Sequence, residues 1–123
     1  MSVKGYRDLL VWQKSIDLTD KIYVLTEHFP KSEMYGLSNQ MRRSAISIPS
    51  NIAEGAARHG KQEFIQFLGI AKGSLAELHT QIIIAHRRNY ILPENYQAIE
   101  KTMHEIDNML FGLINSLRNK TAE

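Results

Sequence analysis

The residues best suited to chemistry are five histidines, since histidine is a common ligand of transition metals. His79 and His86 lie about two turns apart on one predicted helix, too far to share an ion without a third element. Glu100 and His104 have i,i+4 spacing and could share an ion or form a surface pair. Di-iron bundles need a histidine three residues after a glutamate on two helices, and Glu77 and Glu100 lack one. We therefore expect no metal site and no cofactor.

Other candidate catalytic residues have structural explanations. Ser47, Ser50 and Ser74 fall in predicted helices without a nearby base in sequence, so we expect their hydroxyls to pack or to bond the backbone. No Gly-x-Gly-x-x-Gly phosphate loop precedes a helix. Glu54 and Glu77 could act as general acids or bases, or they could pair with arginine or lysine at a helix contact. We favour the pairing and predict that the protein is not an enzyme.

The basic residues indicate a different activity. The segment 36–61 contains a single acidic residue, Glu54, and the candidate nucleic-acid-binding residues are Arg42, Arg43, Arg58 and Lys61. Such a cluster can neutralise phosphates, although the net charge of the chain is only +2. The alternative is a solvated face in which the charges compensate a helix dipole.

Length and composition predict a single domain spanning residues 1–123. The chain has no cysteine, which excludes disulfides and suits a reducing cytoplasm. Its first residues lack the apolar segment of a secretory signal. The longest apolar run, residues 82–85, is far too short to span a membrane. We expect a cytoplasmic protein with no membrane association.

Apolar spacing predicts four helices, at residues 8–29, 35–59 and 61–89 and from Pro93 onward, with Asp8 as the first N-cap. Short connections then favour an all-α, up-down-up-down antiparallel four-helix bundle. The predicted core series are Leu37, Met41, Ala45, Ile48, Ile52 and Ala56; Phe64, Leu68, Ala71, Leu75, Leu78, Ile82 and Ala85; and Ile99, Met103, Ile106, Leu110, Leu113 and Leu117.

The second helix keeps its apolar phase across Pro49, which predicts one continuous, proline-kinked helix. Proline lacks the amide that would bond the carbonyl of Ala45, so Ser47 or Ser50 is expected to bond it. The small residues near Gly55 and Gly73 predict close packing of the second and third helices against each other or a neighbouring subunit. Apolar residues cover more than half of the circumference of the third helix, which predicts that it lies centrally or is covered by another subunit.

The chain resembles the four-helix-bundle proteins encoded in intervening sequences of bacterial 23S ribosomal RNA genes. The resemblance extends from Tyr6 to about Leu92. Its matching segments are Tyr6-Arg-Asp-Leu-Leu-Val-Trp-Gln-Lys14, Phe29-Pro-Lys31, Tyr35-Gly-Leu37, Gln40-Met-Arg-Arg-Ser-Ala45, Ser47-Ile-Pro-Ser-Asn-Ile-Ala-Glu-Gly55 and Gly73-Ser-Leu-Ala-Glu-Leu78.

This resemblance implies a homopentamer around a central pore. It also implies kinship with accessory subunits of diversity-generating retroelements, which are basic pentamers that associate with a reverse transcriptase and with nucleic acid. Our leading hypothesis is a non-enzymatic oligomer that binds RNA or DNA without sequence preference and without base stacking, since few aromatic residues lie near the basic positions. The rival hypothesis is a protein-binding scaffold or accessory subunit that makes no nucleic-acid contact.

Overall fold

The computed structural model describes residues 5–122, with the side chains of residues 5–119. Its helices are α1 (Gly5–Asp8), α2 (Leu10–Glu27), α3 (Leu37–Ala56), α4 (Lys61–Arg87) and α5 (Pro93–Ala122), with a 3₁₀ turn at Lys31–Glu33. No strand occurs within this described range, which confirms the all-α class. The four long helices form a bundle in which each contacts the next and α2 also contacts α5.

The core consists of the apolar positions that the helical spacing predicts. On α4 every member of the predicted series is buried, and on α3 all but Leu37 are buried. On α5 the series is buried as far as Leu110, after which Ile114 takes the buried position in place of Leu113. A heptad pattern drifts by about 20° per repeat around a straight α-helix, which accounts for this change of residue near the end of the bundle.

The N-terminal residues form a separate short helix. Asp8 ends α1, so the prediction that it caps the following helix is wrong. Leu9 precedes α2 with an extended backbone (φ −72°, ψ 122°) and gives no side-chain cap. The ring of Tyr6 packs edge-on against Trp12, with centroids 5.4 Å apart. This packing places α1 against the start of α2, and the chain turns at Leu9.

The predicted starts of α4 at Lys61 and of α5 at Pro93 are confirmed, whereas the ends of α2 and α4 and both ends of α3 differ from the prediction by two or three residues. The 3₁₀ turn delays the start of α3 to Leu37, whose amide donates to Glu33 Oε1 at 3.3 Å. At the end of α4, Asn89 adopts a left-handed backbone (φ 64°). Asparagine is one of the few side chains that visit this region routinely. The amide of Tyr90 then donates to the carbonyl of Ala85 at 3.0 Å, closing the helix end.

Pro49 lies inside α3, which continues as one α-helix from Leu37 to Ala56. The continuity is confirmed, whereas the bend stays a prediction. Thr19 Oγ1, on α2, lies 3.3 Å from the carbonyl oxygen of Ala45 and 2.8 Å from that of Ser15. The expectation that Ser47 or Ser50 bonds the freed carbonyl is therefore wrong, because a neighbouring helix supplies the donor.

Gly55 allows α3 and α4 to approach closely. A Cβ atom there would lie 2.7 Å from Phe67 Cβ and 3.0 Å from Phe64 Cδ1, so no larger residue fits without a shift. Farther along the same pair of helices, Ser47 Oγ and Ser74 Oγ are 2.7 Å apart. The predicted contact between the two small-residue segments is confirmed.

Polar pairs join the remaining helices. Lys14 on α2 bonds Glu105 on α5 at 2.6 Å. Lys72 on α4 pairs with Asp107 on α5 at 2.9 Å.

Within the described range, no helix is both long enough and apolar enough to cross a membrane.

Candidate nucleic-acid interface

Arg42 faces α2 and is engaged in contacts within the bundle. Its Nε donates to Thr26 Oγ1 at 2.8 Å, and its Nη2 donates to the carbonyl of Tyr23 at 3.4 Å. The guanidinium also lies 4.6 Å from the centroid of the Tyr23 ring. A cation is favourable near the last carbonyls of a helix. The contacts of Arg42 therefore stabilise the C-terminal turn of α2 against α3.

Arg43 projects from another side of α3, because successive residues of a helix are rotated by about 100°. It is exposed, and it forms no hydrogen bond or ion pair with the described residues. A guanidinium without a partner among the described residues remains available for bidentate contact with a phosphate. Arg43 is the best placed of the two adjacent arginines for contact with an external anion.

Arg58 and Lys61 lie at the connection between α3 and α4. Arg58 Nη2 bonds Glu54 Oε1 at 2.9 Å, and its Nε lies 3.9 Å from Glu63 Oε2. The arginine also lies over the ring of Phe67, 5.1 Å from its centroid. Two carboxylates thus offset its charge, as the pairing interpretation of Glu54 predicts. Lys61, the first residue of α4, is exposed and has no ion-pair partner in the described part of the chain.

The four predicted residues form two pairs and not one compact cluster. Ala56, at the end of α3, lies thirteen positions after Arg43. At a rise of 1.5 Å per residue, this places the Arg42–Arg43 pair about 20 Å from the end of α3 that leads to Arg58. Binding of nucleic acid by these residues stays a prediction.

A polar groove of about 480 Å³ lies between α3 and α4, beside Arg43. Its lining residues are Tyr35, Asn39, Gln40, Arg43, Ser44, Ser47, Glu77 and Gln81. We call this the α3–α4 groove. The side chain of Tyr35 is 91% exposed, whereas that of Gln81 is 7% exposed and its Oε1 has no hydrogen-bond partner in the described structure.

Sequence reasoning missed Tyr35 and Gln81 as site residues and considered Glu77 only as a catalytic group or an ion-pair partner. The i,i+4 spacing of Glu77 and Gln81 places them on one side of α4, a signal present in the sequence. Their position opposite Arg43 depends on the register between α3 and α4, which the sequence does not state. An exposed aromatic ring therefore lines the same groove as a predicted phosphate-binding residue. The premise that few aromatic residues lie near the basic positions is wrong, because helix packing brings aromatic rings next to Arg42, Arg43 and Arg58.

Ser47, Ser74 and His79, considered for catalysis or metal binding, contact other side chains of the bundle. Ser47 Oγ accepts a hydrogen bond from Asn51 Nδ2 at 2.9 Å in addition to its contact with Ser74. His79 Nε2 lies 2.5 Å from Glu100 Oε1, across the contact of α4 with α5. The described residues contain no group of three or more His, Cys, Asp or Glu side chains suited to a metal ion.

The protein is an all-helical bundle with a polar groove between α3 and α4. Within that class, the chain belongs to the 23S rRNA-intervening sequence protein family, whose model matches residues 7–112. It is similar to the crystal structure of a protein with unknown function from the S23 ribosomal protein family of Bacteroides thetaiotaomicron VPI-5482. The two are 28% identical, with 85% of this chain and 98% of that chain covered and a TM-score of 0.79. No curated protein matches the chain. The predicted family resemblance is confirmed.

Proposed function

We propose that this protein is a non-enzymatic homo-oligomer that binds nucleic acid largely through phosphate contacts. The single observation that carries the proposal is the exposure of Arg43 on α3 and of Lys61 at the start of α4, without intramolecular ion-pair partners among the described residues. Arg42 and Arg58 contribute less, since both are engaged by partners within the chain and Glu54 and Glu63 offset the charge of Arg58. Binding of this type depends little on sequence and weakens steeply with salt, because it releases counterions.

We propose a homopentamer as the assembly. The support is the outer surface of α4 from Gly69 to Gly73, where Ile70 is 46% exposed and an added Cβ at either glycine would meet nothing within 4 Å. Small residues let helix backbones approach, and exposed isoleucines favour a covered surface. A ring repeats Arg43 and Lys61 in every subunit, so weak phosphate contacts add by multivalency. Light scattering that gave the 14.1 kDa subunit mass would exclude the oligomer.

We further infer an up-down-up-down order of the long helices, with Pro49 bending α3. Two contacts between α3 and α4 support the antiparallel order, because the contact that lies later in α3 involves the earlier residue of α4. Gly55 packs on Phe67, and Ser47 bonds Ser74. A protein of this kind would act in the cytoplasm.

The test is a titration of labelled RNA and DNA at low and moderate salt. The double variant Arg43→Gln/Lys61→Gln is compared with Lys31→Gln/Arg118→Gln, which removes the same charge from other exposed positions. The first variant is expected to lose much more affinity than the second. Equal losses would mean that net charge alone attracts the nucleic acid.

A second candidate function is a protein-binding scaffold, for example an accessory subunit of a reverse transcriptase. The exposed isoleucine on the outer side of α3, Ile46 at 42%, favours it because apolar surface suits a protein partner. If wild-type protein with an intact oligomer binds neither RNA nor DNA at low salt, the scaffold is the better proposal.

A further inference from the structure

The α3–α4 groove combines groups that one kind of ligand would satisfy together. The α4 side presents Glu77 and, one turn further on, Gln81. The α3 side presents Arg43 and the ring of Tyr35, which precedes the helix. One wall therefore offers hydrogen-bond acceptors, and the other offers a cation and an aromatic face.

The acceptor wall calls for a ligand with N–H donors. Gln81 Oε1 is buried and has no hydrogen-bond partner among the described residues, and an unsatisfied buried acceptor is costly. The carboxylate of Glu77, which is exposed, accepts hydrogen bonds and donates none when ionised.

The opposite wall calls for an anion and a flat ring. The guanidinium of Arg43 is suited to bidentate contact with a phosphate. The ring of Tyr35 is 91% exposed, and exposed aromatic rings stack on nucleobases in single strands. The groove volume of about 480 Å³ falls in the range of about 300–1,000 Å³ usual for small-ligand sites.

We propose that the α3–α4 groove binds one nucleotide of a single-stranded nucleic acid and prefers guanine. Guanine presents two adjacent N–H donors, at N1 and N2, and these match the two oxygens of the Glu77 carboxylate. The phosphate contacts Arg43, and the base stacks on Tyr35. This inference rests on the proposed function and adds a base preference to it.

Fluorescence anisotropy with labelled oligouridylates of about twelve nucleotides tests the proposal. The probes carry a central guanosine, a central adenosine or no substitution. Wild-type protein is expected to bind the guanosine probe about fivefold to tenfold more tightly than the others. Glu77→Gln should turn this preference toward adenosine, because an amide offers one donor and one acceptor and pairs with adenine. Glu27→Gln, at an exposed site on α2, is the matched control and should keep the guanosine preference.

Tyr35→Ala should weaken binding of the guanosine probe by about tenfold, and Tyr35→Phe should restore it. Phe111→Ala removes another exposed ring, on α5, and should change nothing. Wild-type binding without base preference would overturn the groove assignment while leaving the proposed function intact. No binding of any probe at low salt would overturn both. Groove variants that lower the oligomer mass in light scattering would show instead that a second copy covers the groove, which also overturns the assignment.

Discussion

The hydroxyl of Thr19 on α2 lies 3.3 Å from the carbonyl oxygen of Ala45 on α3. That carbonyl has no intrahelical donor, because Pro49 occupies the position whose amide would bond it. Thr19 shares its one proton between this oxygen and the carbonyl of Ser15. The proline of one helix is thus accommodated by a side chain of its neighbour, and the two positions should be coupled energetically.

We expect Thr19→Val to lower the free energy of unfolding by about 1 kcal/mol. In a Pro49→Ala background the loss should be smaller, because the amide of residue 49 would then bond Ala45. Urea unfolding of the two single variants and the double variant, at one protein concentration, measures the coupling. Thr80→Val is the control, since among the described residues Thr80 bonds only the carbonyl of Ala76, four residues earlier on its own helix, at 2.9 Å. Equal costs of Thr19→Val in both backgrounds would disprove the coupling.

Alanine substitutions of Gly55 on α3 and of Gly73 on α4 should change the free energy of unfolding in opposite directions. Gly55→Ala places a Cβ atom 2.7 Å from Phe67 Cβ, so we expect a destabilisation of about 1–3 kcal/mol from overpacking. At Gly73 an added Cβ meets no atom within 4 Å. There the alanine variant should raise subunit stability by up to about 1 kcal/mol through helix propensity. Thermal unfolding at one protein concentration compares them, and equal shifts would contradict the packing argument.

The comparison of these glycines also tests the assembly. If the outer surface of α4 is a subunit contact, the larger side chain in Gly73→Leu should lower the oligomer mass while leaving the helix content unchanged. Light scattering and circular dichroism separate the two effects. An unchanged mass would place the contact between subunits elsewhere on the bundle.

Periodicity in the sequence is sufficient to predict the four long helices and most of the core. Every predicted core residue of α4 is buried, because helical spacing alone decides which side faces inward. The donor to Ala45 could not be predicted, since it depends on the register of α2 against α3. The same holds for the α3–α4 groove, where Tyr35 and Gln81 are far apart in sequence and meet only through helix packing. The turn at Leu9 escaped prediction because no proline or glycine marks it.

The ion pair of Lys14 with Glu105 should make stability depend on pH in the acid range. The hydrogen bond from Lys14, with its charge, lowers the pKa of Glu105. Stability gained from a carboxyl with a lowered pKa is present above the ordinary value of about 4.3 and is lost as the pH falls through the folded-state value. Glu105→Gln should therefore lower the urea midpoint at neutral pH and have little effect well below the folded-state pKa. Glu27→Gln serves as the control for removal of an exposed carboxylate, and an equal pH dependence in both variants would contradict the assignment.

The two adjacent arginines of α3 should have separable roles. Arg42 bonds Thr26 and lies over the ring of Tyr23, so Arg42→Gln should lower the free energy of unfolding by about 1–2 kcal/mol. Arg43 has no such contact among the described residues, so Arg43→Gln should leave stability within about 0.5 kcal/mol of wild type.

RNA binding should depend more on Arg43 than on Arg42. With the oligomer intact, Arg43→Gln should weaken RNA binding and reduce the slope of log K against log salt concentration, because each lost phosphate contact removes about 0.7 from the slope for a single strand. Arg42→Gln should change that slope much less, since its guanidinium already has partners on α2. Urea unfolding and salt titrations on the same preparations make the comparison direct. Equal losses of slope in the two variants would mean that both side chains reach phosphates, and that Arg42 leaves its partners on α2 when nucleic acid binds.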